Sequence, residues 1–234
     1  MTRHPSVSVI IPAYGRTELT CSCVDAVRRT CDASIVVVDN DGRAFPCDAY
    51  NYLENEANLG FATACNQGAL LARTDLLVFL NNDTEVTDGW LEPLLDAIED
   101  GIAGARLIYP DGTPQHTGVR LFRDARGVIT GENLKHEHES GQVDAVTGAC
   151  LAVSRQTFAR CGLFDTGYWN GYEDVDLCLT ARSLGIPIRY VAESTVVHHE
   201  SASGPARWSK VRENIQRLQD RWDPTFDELM GVRR

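Results

Sequence analysis

The chain has 234 residues, 43% of them hydrophobic and 24% charged, and a formal net charge of −11 from 22 basic and 33 acidic residues. That length can bury one large core or two small ones, and the acidic balance argues against nucleic acid as a partner, since phosphate-backbone binding needs a basic face. No apolar run approaches the roughly 20 residues of a membrane-spanning helix, and "MTRHPSVSVIIPAYG" at the start has no signal-peptide pattern, so the reading is a cytoplasmic protein with no transmembrane segment.

The first half alternates strand and helix. "VSVIIPAY" (7–14) is a β-branched apolar run, the signature of a strand covered on both faces, and a helical pattern follows at 18–29. Strands are expected at 33–40 and 50–55, a helix at 60–72, a strand at 76–83, a helix at 89–100 and a strand at 102–110. Buried strands separated by helices imply an α/β, doubly wound, mostly parallel sheet. From 111 the alternation breaks into a polar, Gly-rich stretch read as a hairpin and a mobile loop, whose histidines (His116, His136, His138) read as solvated loop residues. Order returns with a strand at 143–155, a helix at 173–185 closed by Gly185, one or two strands ending on His198-His199, and an amphipathic helix at about 207–222. No repeat or linker marks a second domain. One unit over 1–234 is expected, in two halves of about 6–110 and 111–206 with a C-terminal helix and tail at 207–234.

Eight cysteines, at 21, 23, 31, 47, 65, 150, 161 and 178, form no C-x-x-C pair. In a chain without a secretory signal they read as reduced, small core residues rather than a zinc site or a disulfide framework.

In a doubly wound sheet, ligands bind beyond the carboxyl ends of the strands. Those ends carry Pro12-Ala13-Tyr14, Asp39-Asn40 and Asn81-Asn82-Asp83, which should converge on one crevice. Taken alone, "NND" is also what a turn would contain. One Asp and one His at strand ends make a two-ligand divalent site, whose mixed O/N donor set favours Mn2+, with Mg2+ the alternative if the substrate supplies oxygens. Such a cation would also offset an anionic ligand on an acidic chain. Read alone, His198-His199 is more often a structural or exposed pair than a ligand. Glu173-Asp174 reads either as a first-turn acidic pair favoured by the helix dipole or as chemistry. Asp174, Leu177, Cys178 and Ala181 share one helix face, so Asp174 tops the core-facing stripe, where a carboxylate can serve as a general base. Trp169 and Tyr172 beside it could stack on a sugar ring or pack.

The stretches "VSVIIPAYGR", "IVVVDN", "NLGFATACNQG", "FLNNDTEV", "VTGACLAVSR", "GYEDVDLCLTARSLG" and "VVHHESAS" occur in an order and spacing that resembles the family 2 inverting glycosyltransferases, over roughly residues 6 to 204. The likeness is to their rhamnosyltransferase-like branch. It implies a GT-A fold, with a nucleotide-sugar-binding half and a smaller acceptor-side antiparallel and helical portion. It further implies metal-dependent, inverting transfer of rhamnose or another hexose from a dTDP- or UDP-linked donor to a glycan, lipid-linked or protein acceptor. Residue by residue, it implies donor contacts from Pro12, Ala13, Tyr14, Arg16, Asp39, Asn58, Gly60, Phe61, Asn66, Asn81 and Asn82. Asp83 and His198, the latter five residues ahead of Ser203, match the metal ligands, and Asp174 the catalytic base. Gly148, Trp169, Tyr172 and Glu173 fall on the acceptor or sugar side. The sequence departs from the pattern in having one carboxylate in "NND" and Gly15 where Asn is usual. The rival readings are a nucleotidyltransferase acting on a sugar phosphate, which usually opens on a Gly-rich phosphate loop that "PAYGRTELT" lacks, and an inactive sugar-nucleotide-binding module.

Overall fold

The β-branched runs become the central strands of a ten-stranded sheet. The computed structural model describes residues 7–42, 51–99, 101–199 and 209–231. The first half supplies β1 (Val7–Ala13), α1 (Thr17–Thr30), β2 (Ser34–Asp39), β3 (Asn51–Glu54), α2 (Phe61–Leu71), β4 (Leu76–Leu80), β5 (Thr84–Val86), α3 (Leu91–Asp96) and β6 (Ile102–Ile108). The second supplies β7 (Pro114–His116), β8 (Val119–Arg123), β9 (Ile129–Asn133), β10 (Gly141–Gln142), β11 (Cys150–Ser154), α4 (Arg155–Arg160), α5 (Glu173–Ser183) and β12 (Ile188–His198), and α6 (Val211–Trp222) and α7 (Phe226–Leu229) follow.

The sheet order is β10-β12-β6-β11-β4-β1-β2-β3, with β5 on β12 and β7 on β6. β3, β2, β1 and β4 run parallel, as do β6 and β12, while β11 is antiparallel to both β4 and β6. A strand of the second half is therefore wedged between two of the first, so the expected halves share one sheet. The two faces bury separate cores, as period-2 alternation requires. Ile10, Val36, Val38 and Phe79 face α2 and α5, whereas Val9, Ile11, Val37 and Leu80 face α1 and α3. α2 lies so close on β1 that a Cβ at Gly68 would stand 2.4 Å from Ile10 Cγ2.

Several expectations need correction. The strand expected at 143–155 starts only at Cys150; upstream, Ala145 makes one isolated bridge to Val119, and Thr147-Gly148 turn their backbone N–H groups to side chains. The polar stretch after 111 holds the expected hairpin, β8-β9, but His116 is buried in β7 rather than solvated, because β7 adds to the sheet beside β6. His138 is half-buried, its ring 4.5 Å from that of Tyr190, while His136 is exposed. The late strand is a single one, with a bulge between Val191 and Thr195. Six cysteines (Cys23, Cys31, Cys65, Cys150, Cys161 and Cys178) are free, as expected, and five of them are buried, but Cys21 is disulfide-bonded. Cys47, Ser203 and the start of the helix expected from 207 lie outside the described residues. Among the described residues no helix is long and apolar enough to cross a membrane.

Candidate active site

Parallel pairing brings the carboxyl ends of β1, β2 and β4 to one edge, with Ala13 opposite Asp39. β12 runs the same way through β6 and β11, so His198 reaches that edge too. The three polar clusters expected to converge do so, and each is held by hydrogen bonds that a simple turn does not need.

At the end of β2, Asp39 is buried; its Oδ1 accepts from the Asp41 N–H at 2.9 Å and its Oδ2 from the Tyr52 hydroxyl at 2.8 Å. Next to it Asn40, expected at this crevice but given no role of its own by the sequence, organises the whole corner. Its N–H bonds the Ala13 carbonyl, its Nδ2 donates to Asn58 Oδ1 and the Gly60 carbonyl, and its Oδ1 accepts from Asn55 Nδ2 and the Leu59 N–H. The signal was its place beside Asp39, but three short polar residues in a row do not reveal which one is the hub. Pro12 and Ala13 are buried at the end of β1, Tyr14 is exposed, and Arg16 precedes α1 with its Nε donating to Glu18 at 2.8 Å. Gly15 has φ +81, a left-handed backbone that favours glycine and that asparagine tolerates. Gly and the Asn that the resemblance leads one to expect here both suit this backbone.

The "NND" tip is both turn and site. The Asn81 carbonyl accepts from Thr84 Oγ1 at 2.7 Å, closing the turn into β5. Asn82 is buried, with its Nδ2 on Thr20 Oγ1 and the Tyr14 carbonyl, and so ties this loop to the one after β1. Asp83 Oδ1 lies 3.2 Å from His198 Nε2, and Asn81 Nδ2 lies 3.3 Å from the same nitrogen. Both Asp83 and His198 are buried, and their backbones are tied through the His199 N–H to the Asp83 carbonyl and through pairing of His198 with Thr84.

This pair fits a divalent cation. Two cis ligands of an octahedral ion held at about 2.1 Å would stand about 3 Å apart, close to the observed separation. A carboxylate oxygen and an imidazole nitrogen facing each other at that distance suit a positive charge between them. Among the described residues no group of three or more His, Cys, Asp or Glu side chains could hold a metal, so donor oxygens or water would complete the shell.

Across the edge, α5 begins after Tyr172, whose φ of +73 is unusual for a bulky side chain. Asp174 is half-buried, with Oδ2 accepting from the Gly148 N–H at 2.9 Å and Oδ1 from the Val175 N–H at 2.8 Å. Glycine at 148 leaves room for the Phe61 ring, which a Cβ there would meet at 3.0 Å. Burial, and after it the Asp174 charge, pushes the Tyr172 phenol up. Glu173 is buried and its Oε2 accepts from the Gly171 N–H. Leu177, Cys178 and Ala181 are buried below Asp174, as the helical spacing predicts.

The loop before α5 joins the two sides. Asn170 Oδ1 accepts from the Phe61 N–H, and Trp169 covers Gly60, where a Cβ would come within 3.3 Å of its Cε3. Asn66 gives both ends of its amide to the Phe164 backbone, acting as a joint between the halves. Asn214 on α6, unmarked in the sequence, accepts from the Trp169 N–H and donates to the Trp169 and Gly171 carbonyls. Asp176, also missed, is buried and receives the Tyr168 hydroxyl, Trp222 Nε1 and Arg221. Both were illegible because their partners are 8 to 46 residues away.

Residues 8–160 match the profile of glycosyl transferase family 2. The chain is 29% identical over 227 residues to the O-antigen biosynthesis protein RfbC of Myxococcus xanthus, covering 85% of this chain and 18% of that protein. It is 28% identical over 214 residues to the pre-mycofactocin glycosyltransferase of Mycobacterium tuberculosis, covering 83% of this chain and 43% of that one. The chain thus spans less than half the length of either relative. Among solved structures, GalNAc-T7 with UDP, GalNAc and Mn2+ superposes with a TM-score of 0.75 at 20% identity, over 95% of this chain and 49% of that one. The mannosyltransferase PcManGT of Pyrobaculum calidifontis with GDP-Man and Mn2+ gives 0.59 at 18% identity, over 90% and 61%. These likenesses place the fold among the GT-A glycosyltransferases, and on the match over residues 8–160 the chain belongs to glycosyl transferase family 2.

Proposed function

We propose that this protein moves a hexosyl group from a nucleoside diphosphate sugar to an acceptor hydroxyl with inversion at the anomeric carbon. The observation that carries the reading is the meeting of Asp83 Oδ1 and His198 Nε2 at 3.2 Å on the same sheet edge as Asp39. The buried Asp39 carboxylate, oriented by Tyr52 and Asp41, would receive the nucleoside, with the backbone of Pro12 to Tyr14 and the side chain of Arg16 beside it. Asp83 and His198 would hold a divalent cation, Mn2+ before Mg2+. When bound, that ion supplies the positive charge that offsets the departing diphosphate.

Asp174 is the base. Its two oxygens are fixed by the Gly148 and Val175 N–H groups, and each keeps a lone pair for the acceptor. The acceptor oxygen gives its proton to Asp174 as it forms the new bond to the anomeric carbon, and the bond to the diphosphate oxygen breaks with its electron pair leaving on the nucleotide. Trp169, Tyr172 and Glu173 would line the acceptor or sugar side, positioned by the loop that Asn214 holds. Dry, preorganised placement then supplies most of the rate. The solved structures of like fold support nucleotide-sugar chemistry, one holding UDP, GalNAc and Mn2+ and the other GDP-Man and Mn2+. dTDP-rhamnose, the donor implied by the resemblance, heads the panel to be tested.

The test is release of nucleoside diphosphate from dTDP-, UDP- and GDP-sugars with Mn2+. One donor should be cleaved slowly by the wild type and not by Asp83→Ala. Asp174→Asn should bind that nucleotide with unchanged affinity yet lose transfer by about 10²–10⁴-fold; transfer near the wild-type rate would remove Asp174 from the base role. Release of pyrophosphate from a nucleoside triphosphate would point instead to a nucleotidyltransferase. Nucleotide binding without turnover of any donor would point to a binding module.

A further inference from the structure

We infer that Gln115 is a positioning residue that fixes the tautomer of His198 and so presents its Nε2 lone pair to the cation site. The inference rests on the proposed metal role of Asp83 and His198. Gln115 is buried, 5% exposed, in a stretch whose composition suggests a solvated loop. It sits at an irregularity of the β6-β7 pairing: Leu107 pairs with His116 and Ile108 with Pro114, so Gln115 is the extra residue of a bulge. Bulges re-aim side chains, and this one turns the amide onto β12.

Among the described residues, the amide touches His198 at two points. Gln115 Nε2 donates to the His198 carbonyl at 3.2 Å, and Gln115 Oε1 lies 2.6 Å from His198 Nδ1. A backbone carbonyl can only accept, so the amide nitrogen must face it and the amide oxygen must face the ring. An amide oxygen can likewise only accept, which requires a proton on Nδ1. The carbonyl sets the amide, and the amide sets the imidazole. In the neutral ring Nε2 is then the unprotonated nitrogen. It accepts from Asn81 Nδ2 at 3.3 Å and faces Asp83 Oδ1 at 3.2 Å, the side on which a cation would bind. Metal-ligating histidines generally have their second nitrogen held in this way, and loss of that partner costs about 10–100-fold in metal affinity.

The test reads the tautomer and the metal separately, on the full chain. Long-range 1H–15N NMR of the metal-free wild type at pH 8, with His198 assigned by comparison with His198→Gln, should show the proton on Nδ1 and an imine-type Nε2. In Gln115→Leu the ring should become a mixture of tautomers, and Mn2+ affinity, read by EPR of free Mn2+ with and without UDP, should fall about 10–100-fold. Gln115→Glu, which keeps an acceptor for Nδ1–H but loses the donor to the His198 carbonyl, should keep the ring protonated at Nδ1 and lose less than about 10-fold in Mn2+ affinity. A wild-type ring protonated at Nε2 alone, or Mn2+ affinity unchanged in Gln115→Leu while Asp83→Ala abolishes it, would overturn the inference and leave the metal site standing. Unchanged Mn2+ affinity in Asp83→Ala would instead overturn the metal reading, and the wild-type tautomer would still decide the role of Gln115. If Gln115→Leu fails to fold, the wild-type tautomer and the Gln115→Glu affinity carry the decision.

Discussion

His116 is a buried histidine of β7 whose ring is held neutral by its surroundings. Burial pushes its pKa down to about 4, the nearby Asn133 side chain opposes this, and neighbouring His198 adds to the lowering. Its Nε2 accepts from the Thr147 N–H, as a neutral ring can. The folded value lies below the unfolded value of about 6.5, so the unfolded chain binds the extra proton between the two. The stability this ring contributes is fully present above pH 6.5 and is lost as pH falls toward 4, with a total of about 3 kcal/mol. Asp176 works in the opposite sense: burial raises its pKa, so its effect on stability declines as pH rises through that raised value. Urea melts should therefore show wild type losing about 2–3 kcal/mol between pH 7 and pH 4.5 from this ring. His116→Gln should flatten that loss, and an equally steep loss in the variant would show that other groups cause it.

Arg155 acts at the scale of an element. The last turn of α2 carries no basic residue, and three carbonyls near its end are met from outside. Arg155, at the start of α4, donates from Nε to the Thr74 carbonyl and from its two terminal nitrogens to the Ala69 and Ala72 carbonyls, at 2.7 to 2.8 Å. The guanidinium fork suits several acceptors at once, and a positive charge there complements the helix dipole. Arg155→Ala should cost about 2–4 kcal/mol in urea melts, because the carbonyls lose charge-assisted partners, and Arg155→Lys should recover only part of it. A loss under about 0.5 kcal/mol for Arg155→Ala would mean that water replaces the bonds. The N-terminus of this helix carries Gly60 and Phe61, so its anchoring also holds the proposed donor side of the site.

For the whole molecule, the wedging of β11 between β4 and β6 decides how the chain behaves. The first half alone would leave the edges of β4 and β6 unpaired and the α2 face of the sheet without α5. Unpaired edges and an open apolar face favour aggregation over independent folding. Residues 1–110 expressed alone should fail to give a cooperative melt. The full chain should unfold in one transition, with calorimetric and van't Hoff enthalpies in agreement. A stable, monomeric 1–110 fragment would show that the halves are separate folding units.

Local pattern determined most of the architecture: β-branched runs, helical spacing and Gly185 (φ +71) at the end of α5 placed the main strands and helices, because each is set by neighbours within a turn or two. The order of motifs determined the family, and strand ends located the edge that carries Asp39 and the Asp83–His198 pair. Tertiary structure alone decided the rest. The late start of β11, the burial of His116, the hub at Asn40, the clamp of Asn214 on the Trp169 loop and the hold of Gln115 on His198 each depend on a partner far away in the chain. A short polar side chain looks the same in sequence whether water or a buried carbonyl will receive it, and only the packing of distant segments determines which it is.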